Sequence, residues 1–253
     1  MTLQGRRALV TGAGRGIGRA VALRLASHGA ALSLVSRTRA EVEAVAAEAR
    51  GLGAAATSSV ADVARPDQVA ALFREAGAVD ILVNGAGVAP SAPLVKTSDE
   101  IWRSALETNL SGTFYCLRAA LPGMMERGWG RVVNLASIAG KTGYPYIAAY
   151  AASKHGVLGL TKVAALEAAE RGVTVNAVCP GYVDSPMTDA SVARIVEKTR
   201  LAAADVRKRL EDMSPQKRLM TAEEVAALVA FLCGEEARGI TGQALNLDGG
   251  TLV

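Results

Sequence analysis

At 253 residues the chain has room for one large α/β domain or two small ones. Half of its residues are hydrophobic and only 4% aromatic, which suits helices packed closely against a sheet better than an all-β sandwich. The net charge of +4 is modest and the arginines are scattered without a run of like charge, so nucleic acid is not an expected partner.

In chain order, ALVTG (8–12) reads as a short buried strand ending in glycine. IGRAVALRLASHGA (17–30) then has helical periodicity up to Gly29. ALSLVS (31–36) is a second strand, with a helix from Arg39 to Arg50, and AAATSSV (54–60) is a weaker third, with a helix after Pro66. VDILVN (79–84) is a fourth strand, followed by a long helical region from Asp99 to Arg127 with an interruption expected near Pro122. RVVNLAS (131–137) is a fifth strand, Tyr150 to Arg171 a long helix, VTVNAVCP (173–180) a sixth strand, 221–233 a helix, and QALNLDGG (243–250) holds a last strand. Strands that alternate with helices and are apolar on both faces predict a single α/β domain, a doubly wound Rossmann-type parallel sheet of about seven strands.

The segment from Pro186 to Met220 breaks this rhythm. Val192, Ile195, Val196, Thr199, Val206 and Leu210 recur at roughly helical spacing, with Arg194, Lys198, Arg207 and Lys208 between them. It reads either as an amphipathic surface hairpin or as a lid. The second reading rests on its departure from the carboxyl end of a strand, where open α/β sheets bind ligands.

Cys116, Cys179 and Cys233 are far apart in apolar settings and read as reduced core cysteines of a cytoplasmic protein. His28 and His155 form no cluster with cysteines or acids, so no catalytic metal is expected. No apolar run reaches the roughly 20 residues of a membrane span, and MTLQGRRALV lacks the apolar region of a signal peptide.

Two stretches carry chemistry. Between the first strand and first helix, Gly12, Gly14, Gly16 and Gly18 permit a tight turn and let a pyrophosphate approach backbone at a helix N-terminus. In YAASK, Tyr150 and Lys154 are four residues apart and share one face of a helix, with a hydroxyl upstream at Ser137. Unit charges about 5 Å apart at an effective dielectric of roughly 20 interact by ~3 kcal/mol, or about two pKa units. A neighbouring ammonium is thus expected to bring the phenol toward neutral pH as a general acid.

T-G-x-x-x-G-x-G at Thr11–Gly18, N-x-A-G at Asn84–Gly87, Asn109, Ser137, Tyr150-x-x-x-Lys154 and Pro180-Gly181 stand in the order found in the short-chain dehydrogenase/reductase family. The resemblance spans essentially the whole chain and is greatest to NADPH-dependent ketoacyl and polyketide ketoreductases. It implies that Tyr150 protonates the carbonyl oxygen as hydride arrives and that Lys154 lowers the Tyr150 pKa and holds the nicotinamide ribose. It further implies that Ser137 binds the developing oxyanion and Asn109 a water relaying protons to Lys154. Prepositioned donors are worth most where negative charge develops. For the cofactor it implies Thr11, Gly12, Gly14, Arg15, Gly16, Ile17 and Gly18 at the turn, and Asp62 and Val63 at the adenine. Asn84, Ala86 and Gly87 would stand at the adenosine ribose, and Pro180, Gly181, Val183 and Ser185 at the nicotinamide. Gly85 replaces the family's usual second asparagine, which predicts a less rigid turn.

Ser36-Arg37-Thr38 ends the second strand without an acid that would hold a ribose 2′-hydroxyl, and Arg15 sits in the glycine turn. Two guanidiniums facing one dianion predict NADP(H). The expected reaction is reduction of a ketone, foremost a 3-oxoacyl thioester or polyketide intermediate. The basic insert with Arg127, Arg131 and Arg171 would meet coenzyme A or an acidic carrier protein. The alternatives are an alcohol dehydrogenase working oxidatively and a dinucleotide-binding sensor or scaffold. By analogy Ala89, Leu94, Tyr144, Tyr146, Val183 and Met187 line the substrate pocket, and the family implies a homotetramer.

Overall fold

The computed structural model describes residues 2–252. Seven strands form one parallel sheet in the order β3-β2-β1-β4-β5-β6-β7: β1 Arg7–Thr11, β2 Ala31–Ser36, β3 Ala56–Val60, β4 Ile81–Asn84, β5 Gly130–Leu135, β6 Val173–Pro180 and β7 Ala244–Leu247. The sequence order reverses beside β1, between β2 and β4, which opens a crevice at the carboxyl ends of these strands.

Alternation along each central strand builds two cores. Ala8 and Val10 of β1, Ile81 and Val83 of β4, and Val133 and Leu135 of β5 face α1 (Gly16–Ser27), α2 (Arg39–Gly51) and α9 (Ala222–Cys233). Leu9, Leu82 and Val132 point the other way, against α3 (Pro66–Ala76), α5 (Gly112–Glu126) and α6 (Ala148–Ala168). Both faces are therefore dry, as the continuous apolar strand sequences require.

The helical region after β4 differs from expectation. Pro122 lies inside α5 without ending it. The irregular part is upstream, where α4 (Asp99–Ala105) passes into a π-helical stretch, Leu106–Ser111, that contains Asn109. Pro122 is tolerated because the helix continues through it, whereas the wide turn at 106–111 leaves no trace in residue propensities. The 186–220 insert folds as α7 (Pro186–Thr199) and α8 (Ala203–Asp212). Val192, Val206, Leu210 and Leu219, with Ile195 and Val196, form a small core of their own, separate from the two cores of the sheet.

Candidate active site

The main cavity, about 500 Å³, runs along the carboxyl ends of the strands from Arg37 to Met187. At its centre the chain turns from β1 into α1. Gly12 has φ +68°, and a Cβ there would come within 2.7 Å of the Ala86 nitrogen; one on Gly18 would come within 2.1 Å of the Gly12 carbonyl. Only glycine permits these approaches. Ala13 N–H donates to the Val35 carbonyl at 3.0 Å, which ties the turn to β2. Arg15, the N-cap of α1, makes no side-chain cap, and the first turn carries no acid, so the helix N-terminus offers its N–H groups and dipole to an anion.

Thr11 and Asn84 lie behind this wall rather than on it. Thr11 Oγ1 accepts from Gly85 N–H at 3.1 Å and Ala86 N–H at 3.2 Å, bracing the neighbouring turn. Gly85 is packed and not loose: a Cβ would stand 2.7 Å from the Thr11 carbonyl. Asn84 Nδ2 donates to Asn134 Oδ1 at 2.8 Å, and Asn134 Nδ2 to Thr161 Oγ1 at 2.9 Å, a buried polar line from β4 through β5 into α6. Gly12, Gly14, Gly16, Ile17, Gly18, Ala86 and Gly87 line the cavity.

At the β2 end Ser36, Arg37, Thr38, Asp62 and Val63 form the wall. The two arginines differ. Arg15 Nη1 lies 3.7 Å from Glu41 Oε1, and Glu41 itself lines the cavity, whereas Arg37 has no carboxylate partner among the described residues. The acid that the sequence places well past β2 thus folds back into the same corner. The first turn of α2 carries it there.

At the other end, α6 brings Tyr150 and Lys154 to one wall. Lys154 is buried, donates to the Leu135 carbonyl at 2.7 Å, and has Nζ 5.7 Å from the Tyr150 ring centroid. Ser137, two residues beyond β5, is close enough to lower the Tyr150 phenol and accepts from Ala139 N–H at 3.1 Å. The electrostatics correct one expectation. Burial pushes the Tyr150 phenol above its ordinary value, outweighing the lowering influence of Ser137, and Lys154 contributes no lowering. Burial pulls Lys154 itself down from 10.5 to about 8. In the ligand-free chain desolvation wins over attraction, so Tyr150 is a protonated donor at neutral pH.

Asn109 uses its side chain as a clamp. Its Oδ1 accepts from Val88 N–H at 2.8 Å, while Nδ2 donates to the Val88 carbonyl and the Ser153 hydroxyl, both at 2.9 Å. Ser153 Oγ donates in turn to the Tyr150 carbonyl at 2.7 Å. The amide is therefore committed to the loop after β4 and to α6, with one lone pair of Oδ1 left to accept a further donor. Ser153 was missed because a serine inside a helix carries no signal of what it touches.

On the substrate side Ala89 and Met187 line the cavity, as do Pro180 and Ser185. Val183 does not, being 4% exposed and packed in the core, because it bridges Met220 and turns inward. Its neighbour Tyr182 lines a separate small pocket with Ile138, Leu210 and Met220, and Tyr144 stands outside the main cavity as well. Gly181 packs on Asp248 behind the wall. Leu94 and Tyr146 are exposed outside the cavity. Arg127, Arg131 and Arg171 lie at the amino-terminal end of the sheet, opposite the cavity. Arg131 is 2% exposed, stacked on Trp129 and paired with Glu235, and Arg127 pairs with Asp80, so these two are structural cations. No group of metal-ligating side chains exists among the described residues, and none of their helices is long and apolar enough to cross a membrane.

A family model described as Enoyl-(Acyl carrier protein) reductase matches residues 12–251. The 3-oxoacyl-[acyl-carrier-protein] reductase FabG of Staphylococcus epidermidis is 39% identical over 248 residues, covering 96% of this chain and 97% of the relative. Among solved structures, a variant of actinorhodin polyketide ketoreductase with NADPH is 39% identical with a TM-score of 0.93, covering 99% of each chain. Levodione reductase is 35% identical with a TM-score of 0.92, covering 98% of this chain and 97% of the other.

Proposed function

The chain belongs to the short-chain dehydrogenase/reductase family of oxidoreductases, and on that premise we propose that it reduces the ketone of a 3-oxoacyl thioester or related polyketide intermediate with NADPH. The observation that carries the reading is the single cavity shared by the glycine turn and the Tyr150–Lys154 pair, with Ser137 close enough to influence the phenol. The FabG relative and the actinorhodin ketoreductase add support for substrate and cofactor.

A bound NADPH supplies the hydride. The residues present fit it: the uncapped N-terminus of α1, beside Gly14 and Gly16 in the cavity wall, suits the pyrophosphate, and Asp62 and Val63 suit the adenine. Arg37 and Arg15 suit a 2′-phosphate, which would compete with Glu41 for the Arg15 guanidinium. Ser137 and Tyr150 donate to the carbonyl oxygen, and the Tyr150 hydroxyl gives up its proton as that oxygen becomes basic. Lys154, charged below about pH 8, stabilises the resulting phenolate and holds the ribose. Asn109 positions α6 against the loop after β4. The α7–α8 insert serves as a lid. Buried free cysteines support a reducing cytoplasmic setting, and exposed Trp102, Phe114, Val163 and Leu166 on α4, α5 and α6 support a homotetramer.

Single-turnover oxidation of NADPH by acetoacetyl thioester tests this. Tyr150→Phe is expected to slow the step about 10²- to 10⁴-fold while still binding the cofactor. Undiminished turnover would sink the proposal, and equal use of NADH would remove its cofactor preference.

A further inference from the structure

The cavity holds one more guanidinium, and its surroundings are unusual. The amphipathic pattern of α7 puts Arg194 among residues expected to face solvent, yet it turns inward and lines the cavity with Ala89, Pro90, Met187 and Ala190. Its Nη2 donates to the Ala89 carbonyl and to the Ser191 hydroxyl, each at 3.0 Å. The first joins the lid helix to the loop that follows β4, and the second stays within α7. They use one nitrogen only. Nε is buried and has no hydrogen-bond partner, and no carboxylate pairs with the guanidinium among the described residues.

A charged donor taken out of water without an acceptor is costly, and cavities that keep one generally receive the acceptor from a ligand. Nothing on α7 requires an arginine for the lid contact alone, since any long donor reaching the Ala89 carbonyl would make it. The guanidinium adds a rigid fork of further donors and a positive charge, which suits an oxygen bearing partial negative charge. Ala89, whose carbonyl it meets, lines the substrate side with Met187, away from the Ser36–Arg37 corner.

We propose that Arg194 is a specificity-determining residue that recognises a second carbonyl oxygen of the substrate, that of the ester or thioester two carbons beyond the reacting ketone. This rests on the 3-oxoacyl reading above and extends it to the group that distinguishes a 3-oxoacyl compound from a simple ketone. The same bond pattern couples recognition to the lid: a substrate oxygen on the guanidinium joins α7 and the loop at 85–93 into one wall.

The test compares kcat/KM of the full-length enzyme with NADPH on ethyl 3-oxobutanoate and on 2-octanone, which has the same number of heavy atoms but no second carbonyl. In Arg194→Met the ratio of keto ester to ketone is expected to fall at least tenfold, mostly through KM for the keto ester. Should that variant not fold, Arg194→Gln, which keeps an amide donor without the charge, is read in the same way. An equal fall on both substrates would reduce Arg194 to a lid fastener and overturn the proposal, as would an unchanged ratio. A wild-type enzyme idle on acetoacetyl thioester yet favouring the keto ester over 2-octanone would defeat the thioester reading and leave the role of Arg194 standing.

Discussion

The two halves of the cavity are built by different means. Around the glycine turn the wall is backbone against backbone: Gly12 against Ala86, Gly18 against Gly12, and Gly85 against Thr11. Around the substrate the wall is side chain against side chain, and its outer part is an insert with its own small core. Backbone contacts have no slack, because neither partner has a rotamer to change. Side-chain walls repack. The first half is therefore the rigid reference against which the second can move, and an enzyme that keeps one cofactor while varying its substrate needs that division.

The largest effect is expected where the rigid half is broken. In Gly18→Ala the added carbon would stand 2.1 Å from the Gly12 carbonyl, an overlap that no rotamer relieves. Overpacking of this kind costs about 3 kcal/mol or more. Thermal unfolding should show a drop of that order, and cofactor titration a loss of binding. A variant with normal stability and normal NADPH affinity would mean that the turn yields, and the contrast between the halves would fail.

Lys154 stands where the halves meet, and its charge is a strain that function retains. Between its folded value of about 8 and its ordinary 10.5 the unfolded chain holds a proton that the folded chain has released, so stability rises with pH across that window. Below pH 8 the penalty is fully present, bounded by about 3 kcal/mol. Lys154→Met removes it at the loss of the hydrogen bond to the Leu135 carbonyl, worth about 1 kcal/mol. The variant should be inactive yet more stable by about 2 kcal/mol in denaturant titration at pH 7, with the gain shrinking from pH 8 to 10.5. The wild-type reduction rate should fall as pH rises through about 8, where the ammonium is lost. A destabilised variant at pH 7 would show that the hydrogen bond, not the buried charge, dominates at this position.

The same division explains what was legible in the sequence. Glycines with no alternative, at 12 and 18, announce a close approach wherever a strand meets a helix, so the cofactor half and the parallel sheet could be read directly. The spacing of Tyr150 and Lys154 fixed their common face. Their titration did not follow, because spacing reports attraction but not the burial that outweighs it. The inward turn of Val183 could not be read, since it depends on the Val183–Met220 bridge, a contact between distant residues. Glu41 lies five residues past the end of β2, beyond what a reading of the strand end covers, and the first turn of α2 returns it to Arg15. Arg131 was read as surface charge, although its place in β5 puts it under Trp129. The π-helical stretch around Asn109 has no propensity signature at all.

If the insert is a lid, it should loosen without the sheet. Leu210 lies in the separate core of α7 and α8 with Val192, Val206 and Leu219, and none of the four belongs to the cores on either face of the sheet. Removing three carbons from a site that small, where collapse is easy, is expected to cost about 2 kcal/mol, the low end for such truncations. In Leu210→Ala that cost should appear as roughly 30-fold faster amide exchange across 186–212, with amides of β1, β4 and β5 unchanged. Substrate KM should rise by a few-fold while NADPH affinity holds, because the glycine turn does not touch this cluster. Uniformly faster exchange through the central strands would show that lid and sheet open together. The insert would then be part of the same cooperative unit, and its helices a fixed wall.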